Sequence, residues 1–524
     1  MVVIRKTRRL KKAKETGRWI GWFSSMTVLE KLGLLLLVGL GMRPILDPDF
    51  GWHLRAGTDL LVRHFWPPKF DVYSYTMPDW SWVNHEWLTD GIIALIHNEL
   101  GPLVLIILFA LLIGGIFLLA ASVEQVQLPY KILAALIGLL AALPITGVRM
   151  QMLTLLGMAW LLWTLYRYRR GELKHLWYVP LIFVAWANLH GGFLIGLVIL
   201  VVFWLCELIK YVVRHWQPTW YKKLHITELT LNYRQLRHLG IIGLLSGVAP
   251  LLNPYGWGLY YDFYKLFTNP FAIKNIAEWQ PVSLALNHPI ALDFTLYLIL
   301  FALVLLLTYR KIEPTRWVIT GLFLYLSFLY WRNLPFFMIM SVGFLAEILQ
   351  RHTDLAFKVI SQNKWILVTA TLIVSVIIGQ RIIDVGGKVA DPAKSFRAGG
   401  YPIDAIHWAR NNIDKLGQRM FNEYDWGGFL IWQFPEQKVF VDGRMPFWKI
   451  GDRFPFFDEQ YAMGAERGSI EMLETKYDVD WILIRPARPL AIALTGQDNW
   501  MQVYRDDYAV IYHKVTKIDD ETQP

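Results

Sequence analysis

Long apolar runs separated by short polar segments repeat along most of the chain. Within a few residues, the runs lie at 27–44, 102–122, 131–148, 151–167, 176–190, 192–213, 239–254, 290–309, 315–331, 334–350 and 364–382. Most approach the roughly 18 residues that a helix needs to cross a bilayer. The pattern predicts a polytopic α-helical membrane protein with about eleven transmembrane helices.

The pattern changes after the last apolar run. Residues 383–402 are rich in Gly, Pro and small side chains, which is typical of a linker. From 403 to 524, β-rich runs such as GGFLIWQF, KVFVDGR and YAVIYHK alternate with helical periods. This alternation predicts a C-terminal α/β domain.

The basic residues predict the orientation of the chain. Residues 1–26 carry a run of Lys and Arg, which the positive-inside rule assigns to a cytoplasmic arm. Counting spans alternately from there, the loops predicted inside are basic, as in RYRRGELKH and YRKIEP. The first outer loop (45–101) and the C-terminal domain are then predicted to be extracytoplasmic, on a multi-pass protein of the plasma membrane.

Composition narrows the class of function. The chain has 524 residues, 55% of them hydrophobic, and a formal net charge of +10. Because the basic residues cluster in short loops, the charge reflects topology, and we expect the lipid bilayer rather than a nucleic acid as partner. The single cysteine, Cys206, excludes a disulfide framework and a Cys-based metal site.

Unusual polar residues gather at the predicted outer ends of the helices. They are Asp47, Asp49, His53, Arg55, His85, Glu86, Arg149, His190, Asn253, Glu278 and Arg332. Taken singly, each has a plain alternative, such as interfacial snorkelling for the arginines or a helix cap for His85 and Glu86. Together, carboxylates and arginines from several helices predict a charged cavity at the outer lipid boundary.

The chemistry of such a cavity suits a phosphate-linked lipid. Asp47 and Asp49 flank a proline and could hold Mg²⁺ or Mn²⁺ through oxygen ligands, or one of them could act as a general base. Arginines match phosphate by forked hydrogen bonds. A lipid-phosphate donor would react at the interface while its tail stays in the membrane.

Several motifs resemble a known group of membrane enzymes. The segments DPDFGWHLRAG, WSWVNHEWLTDGI, WANLHGGFLIG, LLNPYGWGLY and IAEWQP are similar to those of bacterial multi-pass proteins of the GT-C glycosyltransferase superfamily. That superfamily includes oligosaccharyltransferase catalytic subunits and protein O-mannosyltransferases. The resemblance implies a GT-C-like transmembrane domain over 27–382. It also implies inverting transfer of sugar from a polyprenyl-phosphate or diphosphate donor to an acceptor on the outer face.

The resemblance also implies roles by position. Asp47 and Asp49 match the essential acidic motif of the first outer loop, and Glu278 matches a glutamate at the metal and acceptor site. The metal ligands would then be Asp47, Asp49 and Glu278. Arg332 matches an arginine that binds the donor phosphate, and Arg149, with no acid in its loop, stands where oligosaccharyltransferases carry a second acidic motif. This departure favours transfer from a monophosphate lipid, with a metal or without one.

The C-terminal domain supplies candidates for acceptor contact. The segment EYDWGGFLIW, with Asp425 and Trp426, is reminiscent of an acceptor-reading motif, and Arg444 follows in the VDGR turn. A glycine pair and a β-turn also have folding reasons of their own.

The expected mechanism joins these residues in one pocket. Arg332 would hold the donor phosphate, helped by Arg149, His53 or Arg55, while Asp49 or Asp47 takes the proton of an acceptor hydroxyl. Two other functions stay open: a transporter or flippase of a lipid-linked glycan, and a non-catalytic scaffold. The sequence leaves the sugar undefined and the acceptor open among protein, lipid and polysaccharide.

Overall fold

The computed structural model describes residues 25–64, 66–217, 230–283, 290–308 and 313–515. The predicted basic arm, 1–26, lies almost entirely outside them. The N-terminal helices are α1 (Val28–Gly41), α2 (Phe50–Val62), α3 (Trp87–Leu100), α4 (Pro102–Ala121), α5 (Leu128–Ala142), α6 (Gln151–Arg169), α7 (Val179–Leu189) and α8 (Phe193–Trp216). They continue with α9 (Tyr233–Val248), α10 (Trp257–Thr268), α11 (Pro270–Asn275), α12 (Ala291–Thr308), α13 (Pro314–Leu329), α14 (Leu334–Gln362) and α15 (Lys364–Ala390).

Each predicted apolar run coincides with one of these helices, namely α1, α4 to α9 and α12 to α15. Among the described residues, six helical segments are long and apolar enough to cross a membrane, and two shorter apolar helices accompany them. The chain is therefore a membrane protein by its helices, and the count of about eleven crossings stays a prediction.

Helix α14 lies at the centre of the bundle, and α15 lies on its surface. α14 packs against α4, α5, α6, α12 and α13, and most of its apolar stretch is buried. Gly138 of α5 permits one of these contacts, because a β-carbon there would collide with Val342 of α14. α15 packs mainly on α1 and leaves nearly all of its apolar surface exposed, as expected of a helix that faces lipid.

A second feature of the bundle is a buried ionic cluster of Arg169, Glu207, Lys210 and Glu313. Lys210 Nζ lies 2.5 Å from both Glu207 Oε1 and Glu313 Oε1, and Arg169 Nη1 lies 2.6 Å from Glu313 Oε2. The four residues come from the C-terminal halves of α6 and α8 and from the start of α13. Two positive and two negative charges therefore compensate each other inside the protein, which buried charges require.

The remaining elements form the C-terminal domain. They are α16 (Pro392–Ala398), α17 (Ile403–Asn411), α18 (Ile413–Leu416), β1 (Met420–Asn422), α19 (Tyr424–Gln433), α20 (Pro455–Met463), α21 (Ser469–Thr475), β2 (Trp481–Ile484), α22 (Pro489–Leu494), β3 (Trp500–Arg505) and β4 (Val510–Lys514). The sheet order is β1-β2-β4-β3; β1 and β2 are parallel, and the other pairs are antiparallel. The predicted α/β character is confirmed by this small sheet.

Three segments differ from the conformation that their sequence predicts. Residues 383–402 are largely helical rather than an open linker: α15 continues to Ala390, and Asp391 caps α16 by accepting from the Lys394 amide. The run GGFLIWQF is helical and belongs to α19, because a continuous buried apolar run does not distinguish strand from helix. KVFVDGR lies outside the sheet, with Val439 bridging to Ser74.

The first outer loop and the C-terminal domain share one hydrophobic core. Trp52 and Trp82 of the loop belong to the same buried cluster as the core of the domain. The Thr76 hydroxyl donates to the Phe440 carbonyl at 2.7 Å, far along the chain. The domain is thus packed directly on the segment that carries Asp47 and Asp49.

A candidate active site between the helix ends and the C-terminal domain

A pocket of about 610 Å³ opens between one end of the helix bundle and the C-terminal domain. Eleven of the fourteen predicted site residues line it: Asp47, Asp49, His53, His85, Glu86, Arg149, His190, Glu278, Arg332, Asp425 and Arg444. They come from the first outer loop, from the junctions α5–α6, α7–α8 and α13–α14, from the segment after α11, and from the C-terminal domain. The fold therefore brings together residues that lie as much as about 400 positions apart in the chain.

The two aspartates sit on a tight turn before α2. Asp47 Oδ1 accepts the Asp49 amide at 2.9 Å, and the Phe50 amide donates to the Asp47 carbonyl at 3.2 Å. Asp49 then begins the helix, and its Oδ1 accepts from Trp52 Nε1 at 3.1 Å. The turn separates the two carboxylates: Asp47 faces Arg149, and Asp49 forms no ion pair with any described residue.

Two glycines allow the C-terminal domain to approach Asp49 closely. A β-carbon at Gly443 would collide with Asp49 Oδ1, and one at Gly428 would lie 2.5 Å from the Pro48 carbonyl oxygen. Burial, together with the neighbouring Asp47 charge, raises the pKa of Asp49 to about 6. A carboxylate that is half-buried, oriented and without an ion pair suits the removal of a proton near neutral pH.

Arg149 bridges two acids from different outer segments. Its Nε pairs with Asp47, and its Nη2 lies 2.8 Å from Glu278 Oε1. Burial alone would raise the pKa of Glu278, but the charge of Arg149, and then of Arg332, holds it below its ordinary value. Two of the three predicted metal ligands are therefore occupied by a guanidinium.

Arg332, in contrast, has no counter-ion within the part of the chain that the structure describes. Its guanidinium makes no hydrogen bond or ion pair there, and its closest characterised contact is the Trp279 ring, 5.3 Å from centroid to Cζ. The Arg332 carbonyl accepts from Gln151 Nε2 at 3.3 Å, which ties the α13–α14 junction to α6. The pocket thus contains a guanidinium that has no ion-pair partner among the described residues.

A chain of hydrogen-bonded histidines and acids forms another wall. His53 Nδ1 lies 2.7 Å from Asp90 Oδ1, and its Nε2 lies 3.2 Å from Glu86 Oε2. Burial opposes the charge on His53, but the two carboxylates outweigh it and raise the pKa to about 9. Burial raises the pKa of Glu86 to about 7. His53 is therefore an imidazolium held between two acids rather than a free phosphate ligand.

His190 holds Glu86 from the other side. The Gly192 amide donates to His190 Nδ1 at 2.9 Å, so this nitrogen carries a lone pair and the Thr154 hydroxyl, 2.7 Å away, also donates to it. The proton of the neutral ring then lies on Nε2, 3.0 Å from Glu86 Oε1. Each carboxylate oxygen of Glu86 is thus held by one histidine.

His85 completes this wall. Its Nε2 lies 3.7 Å from Glu86 Oε1, and burial lowers the pKa of His85 to about 4, so the ring is neutral at physiological pH. With His53 charged and His85 neutral, the wall places one imidazolium between the carboxyl groups of Glu86 and Asp90.

Three predicted residues do not reach the pocket lining. Arg55 is partly exposed and pairs within α2 with Asp59, 3.2 Å away, because the helix turns it away from His53. Asn253 is buried and donates to the Ala187 carbonyl at 3.0 Å, which fixes the end of α7. Trp426 is buried in the C-terminal core, and its Nε1 donates to the Gly400 carbonyl.

The two other acceptor-side candidates differ from each other. Arg444 lines the pocket, but its guanidinium is paired with Asp442 and Asp71 at 2.7 and 2.9 Å and joins the domain to the first outer loop. Asp425 has a side chain that is 61% exposed, and its carboxylate lies 4.0 Å from Arg485. Asp425 is therefore the candidate that is open to an acceptor.

Sequence reasoning did not select Asp90 and Thr154. Asp90 is fully buried and orients His53, and it also accepts from Asn84 Nδ2 at 2.7 Å. A signal for it was present, because Glu86 and Asp90 are four residues apart and share one helix face. Thr154 gave no such signal, since a threonine in an apolar helix is unremarkable in sequence.

The donor set for a divalent metal fits poorly. Arg149 occupies Asp47 and Glu278, and among the described residues no group of three or more His, Cys, Asp or Glu is arranged to hold a metal ion. The His190 Nε2 proton also keeps that ring from acting as a neutral ligand through Nε2. Among the described residues, the cation that contacts Asp47 and Glu278 is the Arg149 guanidinium.

The fold resembles solved structures of an archaeal oligosaccharyltransferase. One is the Archaeoglobus fulgidus enzyme tethered by a disulfide bond to an acceptor peptide containing the NVT sequon; it is 13% identical, with a TM-score of 0.54, over 88% of this chain and 69% of that chain. The other is AglB of the same organism with an inhibitory peptide and a dolichol-phosphate, 12% identical, with a TM-score of 0.52, over 88% and 70%.

These comparisons show that the fold of this chain is similar to that of an archaeal oligosaccharyltransferase. At such low identity the likeness concerns the fold, which spans both the helix bundle and the C-terminal domain. No family model and no curated protein sequence matches the chain.

Proposed function

We propose that this protein is an inverting membrane glycosyltransferase that transfers sugar from a polyprenyl-phosphate-linked donor to an acceptor on the outer face of the membrane. The observation that carries the proposal is the presence in one pocket, at the end of a helix bundle, of an arginine without an ion-pair partner, Arg332, and a half-buried carboxylate without one, Asp49, among the described residues. A cation for a phosphate and a base for an acceptor are the two groups that such a transfer needs.

In the proposed step, the hydroxyl oxygen of the acceptor attacks the anomeric carbon of the sugar, and Asp49 accepts the proton of that hydroxyl. The bond from that carbon to the phosphate oxygen breaks on the opposite face, and its electron pair leaves with the phosphate. Arg332 stabilises the charge that develops there, and Asp425 lies on the open side for the acceptor. The neighbouring oligosaccharyltransferase structures, with an acceptor peptide in one and a dolichol-phosphate in the other, agree with this choice of substrates.

The orientation belongs to the same proposal. The pocket ends of the helices are the ends predicted to be outside, whereas the basic loop RYRRGELKH lies at the other end of α6. The N-terminus would be cytoplasmic, and the pocket and the C-terminal domain extracytoplasmic.

The transporter alternative has less support. A flippase needs a polar path through the bundle, but the buried ionic cluster at the opposite ends of α6, α8 and α13 is fully compensated and packed.

Glycan and glycolipid mass spectrometry of cells with and without the gene tests the proposal. We expect one class of glycan or glycolipid to disappear, and to return with the wild-type gene but not with Asp49→Asn or Arg332→Ala. The exposed Asp79→Asn, in the same outer loop, is the matched control and should restore it. An unchanged glycan profile in the deletion strain, or full rescue by both site variants, would contradict the proposal.

A further inference from the structure

We infer that Arg149 is a built-in cation of the active site: it takes the position between Asp47 and Glu278 that a divalent metal would occupy, and it presents its remaining donors to the phosphate of the donor lipid. This inference deepens the proposed function and rests on it for the identity of the phosphate. Its first half, the exclusion of a metal from the carboxylate pair, stands without it.

Arg149 already occupies the position between the two carboxylates. A fork of two guanidinium nitrogens, Nε and Nη2, engages one oxygen of Asp47 and one of Glu278. These oxygens come from the first outer loop and from the segment after α11, so a single cation joins two parts of the site that no helix connects. A divalent ion at this position would need the same two oxygens and would meet a positive charge.

The charges around this position also disfavour a divalent metal ion. Asp47 and Glu278 together carry two negative charges, Arg149 supplies one positive charge, and Arg332 lies close enough to stabilise ionised Glu278 further. Arg149 therefore cancels half of the negative charge of the carboxylate pair before any ligand binds. A carboxylate pair already bridged by a guanidinium attracts a divalent cation far less than an open pair does.

Arg149 and Arg332 both line the pocket with guanidinium N–H groups that no described residue engages. Arg149 Nη1 makes no hydrogen bond to any residue that the structure describes, and the side chain is 26% exposed in the pocket lining. Arg332 offers its whole guanidinium to the same pocket. Two arginines with free N–H groups can bind two non-bridging oxygens of one phosphate, and both remain charged at every physiological pH.

In the transfer step, Arg149 then has the role of an electrostatic stabiliser. As the bond between the anomeric carbon and the phosphate oxygen breaks, the phosphate gains a second negative charge, and no proton or metal is needed from the protein to compensate for it. Asp47 acts on the reaction only through Arg149 and is therefore a positioning residue, whereas Asp49 touches the acceptor.

Manganese binding to the full-length protein in nanodiscs, followed by electron paramagnetic resonance, tests the inference without requiring transfer activity. We expect the wild type to bind no Mn²⁺ at the pocket. Arg149→Ala should gain one site, at least tenfold tighter than any residual Mn²⁺ binding of the wild type, because it leaves Asp47 and Glu278 without their guanidinium partner. The double variant Arg149→Ala with Asp47→Asn should lose that site again.

Two further arms keep the test decisive. Arg149→Lys keeps the charge without the fork; it should gain no Mn²⁺ site but should bind a polyprenyl monophosphate at least tenfold more weakly, with binding of the matching polyprenol unchanged. If Arg149→Ala does not fold, the wild type alone decides: a single tight Mn²⁺ site that Asp47→Asn or Glu278→Gln removes would overturn the inference. Failure to detect any transferred glycan would count against the proposed function and leave the Mn²⁺ result intact.

Discussion

The pocket and the buried ionic cluster use the same kinds of residue at opposite ends of the same helices. In the cluster, Lys210 and Arg169 meet Glu207 and Glu313 at short distances, and all four side chains are buried. In the pocket, Arg332 forms no ion pair with any described residue. A closed, compensated set holds helices together, whereas an open set with unmatched charge is ready for a ligand.

The comparison teaches that charge inside a membrane domain is informative only together with its partners. Arg169 and Arg332 are both arginines at helix ends, and the sequence alone would place both at the membrane interface. In the structure, Arg169 forms an ion pair with Glu313, whereas Arg332 lines the pocket. The following predictions test that distinction, from the largest expected effect to the smallest.

The largest effect is expected for Asp49→Asn. Removing the base should lower kcat by about 10²- to 10⁴-fold, because general-base catalysis contributes that much. The melting temperature should not fall, since the carboxylate has no ion pair to lose among the described residues. Transfer assays with purified protein measure the rate, and Asp79→Asn is the control; kcat within threefold of wild type would remove Asp49 from the mechanism.

Arg169→Ala should damage stability rather than chemistry. It leaves Glu313 and Glu207 buried with too little positive charge, and breaking a buried pair costs about 3–5 kcal/mol. Thermal unfolding in nanodiscs should show a clear loss, with donor affinity of the remaining folded protein unchanged.

The matched comparison is Arg332→Ala, which should not change the melting temperature. If the two arginine variants destabilise the protein equally, the distinction between a closed and an open charge set is wrong.

Arg332→Ala should instead weaken donor binding. The loss of a charge-assisted contact to phosphate is worth about 1.5–3 kcal/mol, or roughly 10- to 100-fold in KM for the donor. Arg332→Lys should recover part of the loss because it restores the charge without the fork. Titration with a polyprenyl phosphate, and with the matching polyprenol as control, measures the effect; equal loss for both lipids would point to altered packing.

The smallest effect concerns pH. The pKa of Asp49 is raised to about 6, and only the ionised form accepts a proton, so kcat/KM should rise about tenfold from pH 5 to pH 7 and then level off. Stability should follow the opposite sign, because the folded state favours protonated Asp49 and this contribution is lost as pH rises through about 6. A pH–rate profile checks the rise. A residual profile in Asp49→Asn with the same midpoint would assign it to another group, such as Glu86.

His53 supplies the counterpart at the alkaline side. Its pKa is raised to about 9, so its stabilising contribution is complete below about pH 6.5 and is lost as pH rises through 9. The melting temperature should therefore decline between pH 7 and pH 10, and this part of the decline should be absent in His53→Gln.

Much of this organisation is already present in the sequence. The apolar runs predicted each long helix, because a lipid-facing helix must be apolar along its whole length and the signal is strong. The acids, arginines and histidines at the helix ends and in the C-terminal domain predicted a shared pocket, and eleven of these residues line one. The prediction for Arg55 was wrong because residues two apart on a helix point to different sides. His53 of α2 therefore faces the pocket, whereas Arg55 pairs with Asp59.

The sequence by itself determined the helices, the small α/β domain and the end of the bundle at which the acids and arginines lie. These features follow from the hydrophobicity of each segment and from the alternation of loops between the two ends of the bundle. Only the tertiary structure decided which charges are neutralised. Asp47 and Glu278 are 231 positions apart, and nothing local to either predicts that Arg149 joins them while Asp49, two residues from Asp47, stays free. Electrostatic pairing depends on distances of a few ångströms across the fold, which sequence spacing does not encode.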